Sequence, residues 1–142
     1  DHGLYNSEKE KLENKIINSD TQISGIEIDR PTYAKARKIY RNHFPDSNIH
    51  FKCENFLDTS ENFENQFIVT NPPYGERLGN EEEIVTLHRE LGDFLKQKCK
   101  KSQAAVFTAN IPAGKKIGLK PTRRIPLFNG PLEGRLFTFE LY

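Results

Sequence analysis

The most informative segment of this chain is residues 67–74, Phe67-Ile68-Val69-Thr70-Asn71-Pro72-Pro73-Tyr74. Its first half is apolar and β-branched, which predicts a buried strand over residues 66–70. The two prolines that follow offer no N–H groups to a strand ladder and restrict the backbone around them. We therefore expect a strand that stops abruptly and presents Asn71 and Tyr74 just beyond its carboxyl end.

Residues 71–74 carry the groups needed to methylate an exocyclic amine. Such an amine is a poor nucleophile because its lone pair is delocalised into the adjacent ring or carbonyl. The side-chain oxygen of Asn71 and the carbonyl of Pro72 can accept its N–H bonds, which stabilises the positive charge that develops as the methyl group arrives. Tyr74 can stack on the target base, and Pro73 helps to fix the backbone. These four residues are predicted to be catalytic, and an ordinary Pro-Pro turn is the alternative.

Strands and helices alternate on both sides of this motif. The pattern predicts helices over residues 7–18 and 31–42 and strands over 22–28 and 49–53. Downstream it predicts a long helix capped by Asn80, a strand over 104–108, and a hairpin of 124–128 with 135–141. The predicted fold class is therefore α/β, with a parallel sheet and a C-terminal antiparallel hairpin at one edge.

Polar residues also follow the strands upstream of the motif, and ligands of parallel sheets bind beyond the carboxyl ends of the strands. Glu27 can accept hydrogen bonds from both hydroxyls of a ribose. Asn55 can accept from the amino group of an adenine, and Phe56 can pack against its ring. We predict that Glu27, Asn55, Phe56 and Asn71 line a cofactor site. A solvated strand-end acid, a turn residue and a core aromatic are the alternatives for the first three.

The charge of the chain is distributed unevenly. Residues 96–124 contain nine of its 21 basic residues and none of its 20 acidic ones, which predicts a surface that contacts phosphates. The alternative is a solvated helix end and loop, and Arg77 can also pair with Glu76 or Glu81. The candidate RNA-binding residues are Arg77, Lys115, Lys116, Lys120, Arg123 and Arg124.

Composition bounds the remaining possibilities. A chain of 142 residues suits one domain, and its polar mean hydropathy of −0.72 comes with no run of about 20 apolar residues, so no membrane span is predicted. Its two cysteines, Cys53 and Cys99, lack the spacing of metal ligands. We expect reduced thiols, a cytoplasmic location and no metal, with a Cys53–Cys99 disulfide as the alternative.

Four motifs together resemble a known family. "GIEID" at 25–29, "ENF" at 54–56, "NPPYGERLG" at 71–79 and "NGPLEGRL" at 129–136 are similar to the RNA methylases that include bacterial large-subunit ribosomal RNA guanine-N2 methyltransferases. The resemblance covers nearly all of the chain after about residue 20. It implies a Rossmann-like methyltransferase sheet, S-adenosyl-L-methionine as cofactor and ribosomal RNA as partner. It places the catalytic loop on residues 71–74, the ribose acid on Glu27, and the adenine-binding position, usually Asp, on Asn55.

The resemblance implies a first strand, a Gly-rich loop and, before them, a separate RNA-binding domain, and this sequence contains none of the three. The chain also contains no methionine and opens on Asp1-His2-Gly3. We expect one partial domain over residues 1–142, with a helix and linker over 1–21 and strands two to seven of the sheet over 22–142. The N-terminal part of the same protein is then a required partner, and this portion alone is inactive. A DNA adenine-N6 methyltransferase and a non-catalytic RNA-binding module are the alternatives.

Overall fold

The computed structural model describes residues 2–13, 21–45, 48–74 and 80–142. Contacts divide the chain into two compact units, an N-terminal unit of residues 1–56 and a C-terminal unit of residues 57–142. The N-terminal unit contains α1 (His2–Glu13), β1 (Ile23–Glu27), α2 (Arg30–His43) and β2 (Ile49–Cys53). The C-terminal unit contains β3 (Phe67–Thr70), α3 (Glu81–Lys98), β4 (Gln103–Thr108), α4 (Ile111–Gly114), a 3-10 turn (Lys115–Ile117), β5 (Arg123–Asn129) and β6 (Leu132–Glu140).

In the N-terminal unit, β1 and β2 form a parallel pair that runs in register from Ile23 opposite Ile49. The helix between them, α2, begins where the side chain of Asp29 accepts a 2.8 Å hydrogen bond from the N–H of Thr32. This capping bond satisfies one of the N–H groups that a helix start leaves unpaired. The ring of Tyr40 on α2 meets the ring of Phe51 on β2 edge to face, with 5.8 Å between centroids.

The C-terminal unit is built on a four-stranded sheet in the order β3-β4-β6-β5. β3 and β4 are parallel, while β6 is antiparallel to both β4 and β5. The β5–β6 hairpin closes through Gly130 and Pro131, and Gly130 has the positive φ of 59° that a tight turn of this kind requires. β5 lies at the edge of the sheet and contains Pro126.

α3 packs one stripe of side chains against this sheet. Its cap is Asn80, whose side chain accepts a 2.8 Å hydrogen bond from the N–H of Glu83. Gly92 allows a close approach, because a Cβ at this position would lie 1.8 Å from the carbonyl oxygen of Ile117 in the 3-10 turn. The buried core includes Ile84, Leu91, Leu95, Cys99, Ala104, Val106, Ile117, Phe137 and Phe139. Burial raises the pKa of the Cys99 thiol to about 11, which makes it a poor nucleophile.

Three local predictions need correction. The first helix begins at His2 rather than at Ser7, so Ser7 lies inside α1 and does not cap it, while residues 14–18 lie outside the described residues. The helix α4 and the 3-10 turn were not predicted, because they are too short to produce a periodic pattern. The apolar spacing along α3 predicts that Ile84, Leu87, Leu91 and Leu95 share the buried face, but His88 is buried there and Leu87 is only half-buried.

The described strands form two hydrogen-bonded sheets, and no described strand pairs with both β1 and β3. Phe67 and Val69 on β3 are 67% and 69% exposed, so one face of this strand is uncovered within the described residues. Among the helices that the structure describes, none combines the length and the apolar character needed to cross a membrane.

Candidate active site

Three asparagines of the C-terminal unit lie at the carboxyl ends of β3, β4 and β5. These strands run in the same direction, so their carboxyl ends lie along one edge of the sheet, across the strands. Asn71 follows β3, Asn110 follows β4 after one residue, and Asn129 ends β5. Asn71 is exposed, and its side chain makes no hydrogen bond within the part of the chain that the structure describes, whereas Pro72 beside it is buried. The amide of Asn71 is therefore available to a ligand.

Tyr74 is held by two contacts near this edge. Its phenol oxygen accepts a 2.8 Å hydrogen bond from the side-chain amide of Asn129. Its ring meets the ring of Phe107 on β4 at 84°, with 6.0 Å between centroids. The ring is half-buried, so part of its surface faces solvent. The structure thus places Asn71, Pro72, Pro73 and Tyr74 together at the end of β3, as the motif predicted, and adds Asn129 to the group.

A buried hydrogen-bond network supports the end of β4. The hydroxyl oxygen of Thr108 accepts from the N–H of Asn110 at 3.1 Å and lies 3.3 Å from Nε2 of His88. Nδ1 of His88 donates to the carbonyl of Ile84 at 2.8 Å. Asn110 in turn caps α4 by accepting from the N–H of Ala113 at 3.0 Å. These bonds connect the carboxyl end of β4 to α3.

The network explains the pKa of His88. Its side chain is fully buried, and desolvation of the imidazolium lowers the pKa, partly opposed by the bond to Ile84. The neutral ring suits its two partners, because Nδ1–H donates to the carbonyl and Nε2 accepts from the hydroxyl of Thr108. Sequence alone left His88 without a role, although its spacing from Ile84, Leu91 and Leu95 matches the buried face of a helix.

The N-terminal unit brings its candidate residues to one end of its own sheet. A carboxylate oxygen of the half-buried Glu27 accepts a 2.8 Å hydrogen bond from the N–H of Asp29, which fixes the direction of the side chain. The backbone carbonyl of Glu27 accepts from the N–H of Glu54 at 3.1 Å and joins the two strand ends. Asn55 and Phe56 follow directly after this bond, and both are half-buried.

Asp29 and Glu54, two acids at this end of the sheet, differ in their hydrogen bonding. Hydrogen bonds from the side chain and backbone of Thr32 lower the pKa of Asp29, as expected for a carboxylate that caps the start of α2. One carboxylate oxygen of Glu54 is buried and accepts no hydrogen bond from the described residues. Sequence reasoning passed over Glu54, although it stands in the same "ENF" motif as Asn55.

The basic residues predicted to bind RNA are exposed in the C-terminal unit. Lys115 and Lys116 lie on the 3-10 turn, and Arg123 and Arg124 lie on the edge strand β5. Lys120 lies between them and is also exposed. Arg77 belongs to the segment 75–79, outside the described residues.

No three His, Cys, Asp or Glu side chains come close enough to hold a metal ion within residues 2–13, 21–45, 48–74 and 80–142. Cys53 is exposed and Cys99 is buried, and both are free thiols.

The buried His88 predicts a pH-dependent stability. Because its folded pKa lies below the ordinary 6.5, the unfolded chain binds a proton that the folded chain does not, once the pH falls below about 6.5. The free energy of unfolding should therefore decrease as the pH falls, by at most about 1.4 kcal/mol per pH unit, until the folded pKa is reached. Denaturant titrations between about pH 5 and pH 8 would measure this.

In the same titrations His88→Gln should be less stable at neutral pH and should lose the part of the pH dependence that His88 contributes. An unchanged slope in this variant would assign the pH dependence to another group.

Comparison with known proteins gives one family for nearly all of the chain. The model of the family described as RMKL-like, methyltransferase domain, matches residues 2–138. The ribosomal RNA large subunit methyltransferase K/L of Syntrophotalea carbinolica is 37% identical over 123 residues, which are 82% of this chain. The chain spans only 17% of the length of that protein.

Solved structures share the fold. SMU.472, solved as a complex with SAH, aligns with 100% of this chain and 38% of its own at a TM-score of 0.80 and 26% identity. A predicted N6-adenine-specific DNA methylase from Listeria monocytogenes str. 4b F2365 aligns with 82% of this chain and 30% of its own, at a TM-score of 0.69 and 26% identity. These comparisons confirm the predicted family resemblance, the Rossmann-like methyltransferase fold and, for the family, the S-adenosylmethionine type of cofactor.

Proposed function

Because the chain belongs to the family of RMKL-like methyltransferase domains, we propose that it forms part of an enzyme that methylates the exocyclic N2 amine of a guanine in ribosomal RNA. The observation that carries this proposal is the exposed Asn71 immediately after β3, with Tyr74 fixed beside it. The related protein named as a ribosomal RNA large subunit methyltransferase supports RNA as the substrate class.

Asn71 and Pro72 would prepare the amine for attack. The side-chain oxygen of Asn71 and the backbone carbonyl of Pro72 accept its two N–H bonds and turn the nitrogen lone pair out of conjugation. As the methyl group passes from the sulfonium sulfur of the cofactor to the nitrogen, leaving a neutral thioether, both oxygens would stabilise the positive charge that develops on the nitrogen. Pro72 is buried. Its ring restricts the backbone that holds the carbonyl. Proton loss to water follows the transfer, so no strong base is required beforehand.

Tyr74 would hold the base outside its stack. An exocyclic amine inside a duplex is out of reach, so the target nucleotide must be extruded before it can react. An aromatic ring offers a stacking surface worth about 1–3 kcal/mol per base. The contacts from Asn129 and Phe107 fix the Tyr74 ring before the base arrives, which lowers the entropy cost of binding it.

The residues at the ends of β1 and β2 fit S-adenosylmethionine. The carboxylate of Glu27 keeps one oxygen on the N–H of Asp29 and retains acceptor capacity for a ribose hydroxyl. Asn55 supplies an amide for the adenine edge, and Phe56 supplies an aromatic surface for the adenine ring. When bound, the cofactor supplies an electrophilic methyl group. SMU.472, which shares this fold, was solved with SAH.

The exposed cations of the C-terminal unit would contact the phosphates of the RNA. The solvent-accessible cations are Lys115, Lys116, Lys120, Arg123 and Arg124. Contacts with phosphates do not distinguish one RNA sequence from another. We assign the same role to Arg77. These contacts would position the RNA while the base pocket selects the nucleotide, and an enzyme with this substrate would act in the cytoplasm.

The upstream part of the same protein would complete the enzyme. The exposed side chains of Phe67 and Val69 on β3 suit coverage by further chain. We therefore propose that residues 1–142 form one partial domain, with 22–142 supplying strands two to seven. The first strand and the Gly-rich loop would come from upstream.

The substrate assignment is tested by labelled methyl transfer. The full-length protein that contains this chain should transfer label from S-adenosylmethionine to ribosomal RNA, and nuclease digestion should yield N2-methylguanosine, whereas residues 1–142 alone should transfer none. Label found in adenine of duplex DNA instead would favour the second candidate, a DNA adenine-N6 methyltransferase, to which the Listeria structure points. RNA binding without cofactor binding would favour a non-catalytic module.

Asn71→Ala tests the chemistry in the same assay. Loss of a preorganised group that stabilises developing charge lowers kcat by about 10²–10³-fold, while affinity for RNA should remain close to that of the wild type. Asn62→Ala, which changes an exposed asparagine between β2 and β3, is the matched control and should retain full activity. Full activity in Asn71→Ala would refute the assigned role.

The phosphate contacts predict a salt effect. Replacing Arg123 and Arg124 with Ala should weaken RNA binding without changing base preference and should flatten the plot of log affinity against log salt by about one unit per lost contact. Replacement of the exposed Lys35 and Lys38 on α2 is the control and should leave the slope unchanged. Equal slopes for both double variants would show that β5 does not contact the RNA.

A further inference from the structure

We propose that the segment Asn129–Gly134 is a positioning device for Tyr74, in which Asn129 holds the phenol and Gly134 makes room for the ring that supports it. The inference rests on the proposed function, because Tyr74 matters as the platform for the target base. The sequence predicts this segment as part of a hairpin and of the family resemblance, and assigns it no role at the site.

Asn129 is well placed for this role. It is the last residue of β5, opposite Leu132, and only Gly130 and Pro131 separate the two strands. So short a turn restricts the backbone of Asn129, and Gly130 has the positive φ of 59° that the turn requires. The amide donates to the Tyr74 oxygen at 2.8 Å across 55 positions of sequence, which joins the β3 loop to the hairpin.

Gly134 acts from the other end of the segment. A Cβ at this position would lie 2.6 Å from Cζ of Phe107 and 3.0 Å from the carbonyl oxygen of Thr108. Only glycine therefore allows the Phe107 ring to occupy its observed position. That ring is the one that meets Tyr74 at 84°, so a larger residue at 134 would displace the support of Tyr74.

The two contacts constrain different parts of one side chain. The hydrogen bond restrains the hydroxyl end of Tyr74, and the ring contact restrains its aromatic face or edge. A platform restrained at both places is already ordered before a base stacks on it. Loss of one restraint should therefore weaken the productive binding of RNA more than it affects the cofactor.

The contact is tested directly by fluorine NMR of the full-length protein labelled with 3-fluorotyrosine. The signal of Tyr74, identified by its disappearance in Tyr74→Phe, should shift in Asn129→Ala, while the signals of the other four tyrosines of this chain stay in place. Asn62→Ala should move none of the five. An unmoved Tyr74 signal in Asn129→Ala overturns the inference whatever the activity of the enzyme.

A double-mutant cycle separates positioning from general stability. Asn129→Ala should lower kcat/KM for RNA by roughly three- to tenfold, as expected for one partly exposed hydrogen bond, and should leave KM for S-adenosylmethionine unchanged. In a Tyr74→Phe background the same substitution should have less than about a twofold effect, because its partner is gone. An equal loss in both backgrounds would show that Asn129 serves the fold rather than Tyr74.

The outcomes distinguish this inference from the proposed function. If the wild-type protein methylates no RNA, the proposed function fails, and the fluorine signal of Tyr74 still decides whether Asn129 holds the phenol. If RNA is methylated and the cycle shows no coupling, the proposed function stands and the positioning role is lost. Gly134→Ala, tested alongside, should shift the same signal through Phe107.

Discussion

The pairing of β4 with β3 on one side and with β6 on the other is the constraint on which the C-terminal unit depends. It sets Val106 opposite both Thr70 and Phe137, and because β4 is buried on both faces, a slip of one residue would exchange the side chains that pack on the two faces. The β3–β4 pairing ends at Thr70, so Asn71 is the first residue beyond the carboxyl end of β3. The position of the amide is therefore a property of the whole sheet.

The three asparagines at that edge show how tertiary partners divide the tasks of one residue type. Asn110 gives its side chain to a helix cap, and Asn129 gives its own to Tyr74. The side chain of Asn71 makes no hydrogen bond to a described residue. The two prolines that follow it have no backbone N–H to donate to its oxygen. The internal bonds orient the side chains of Asn110 and Asn129 toward protein partners, whereas Asn71 is the one of the three whose side chain has no partner among the described residues.

Sequence reasoning succeeded where the signal is local and failed where it is not. Asn80 with acidic residues after it predicted the start of α3, and the apolar run before Asn71 predicted β3. The contact of Asn129 with Tyr74 joins the end of β5 to the segment after β3, 55 positions away in sequence, and no periodic pattern predicts it. His88 was missed for a different reason: its spacing indicated burial, but its polarity concealed this until Thr108 and Ile84 were seen to satisfy both ring nitrogens.

The proline in β5 has a consequence for the behaviour of the protein in solution. An edge strand exposes unpaired backbone groups that can recruit a strand from another molecule and start aggregation. Pro126 removes one N–H from that edge, and Arg123 and Arg124 add charges that repel a second copy. These features disfavour the addition of a strand from another molecule at β5. The side of the sheet that carries Arg123 and Arg124 thereby stays accessible at the high protein concentrations of a cell.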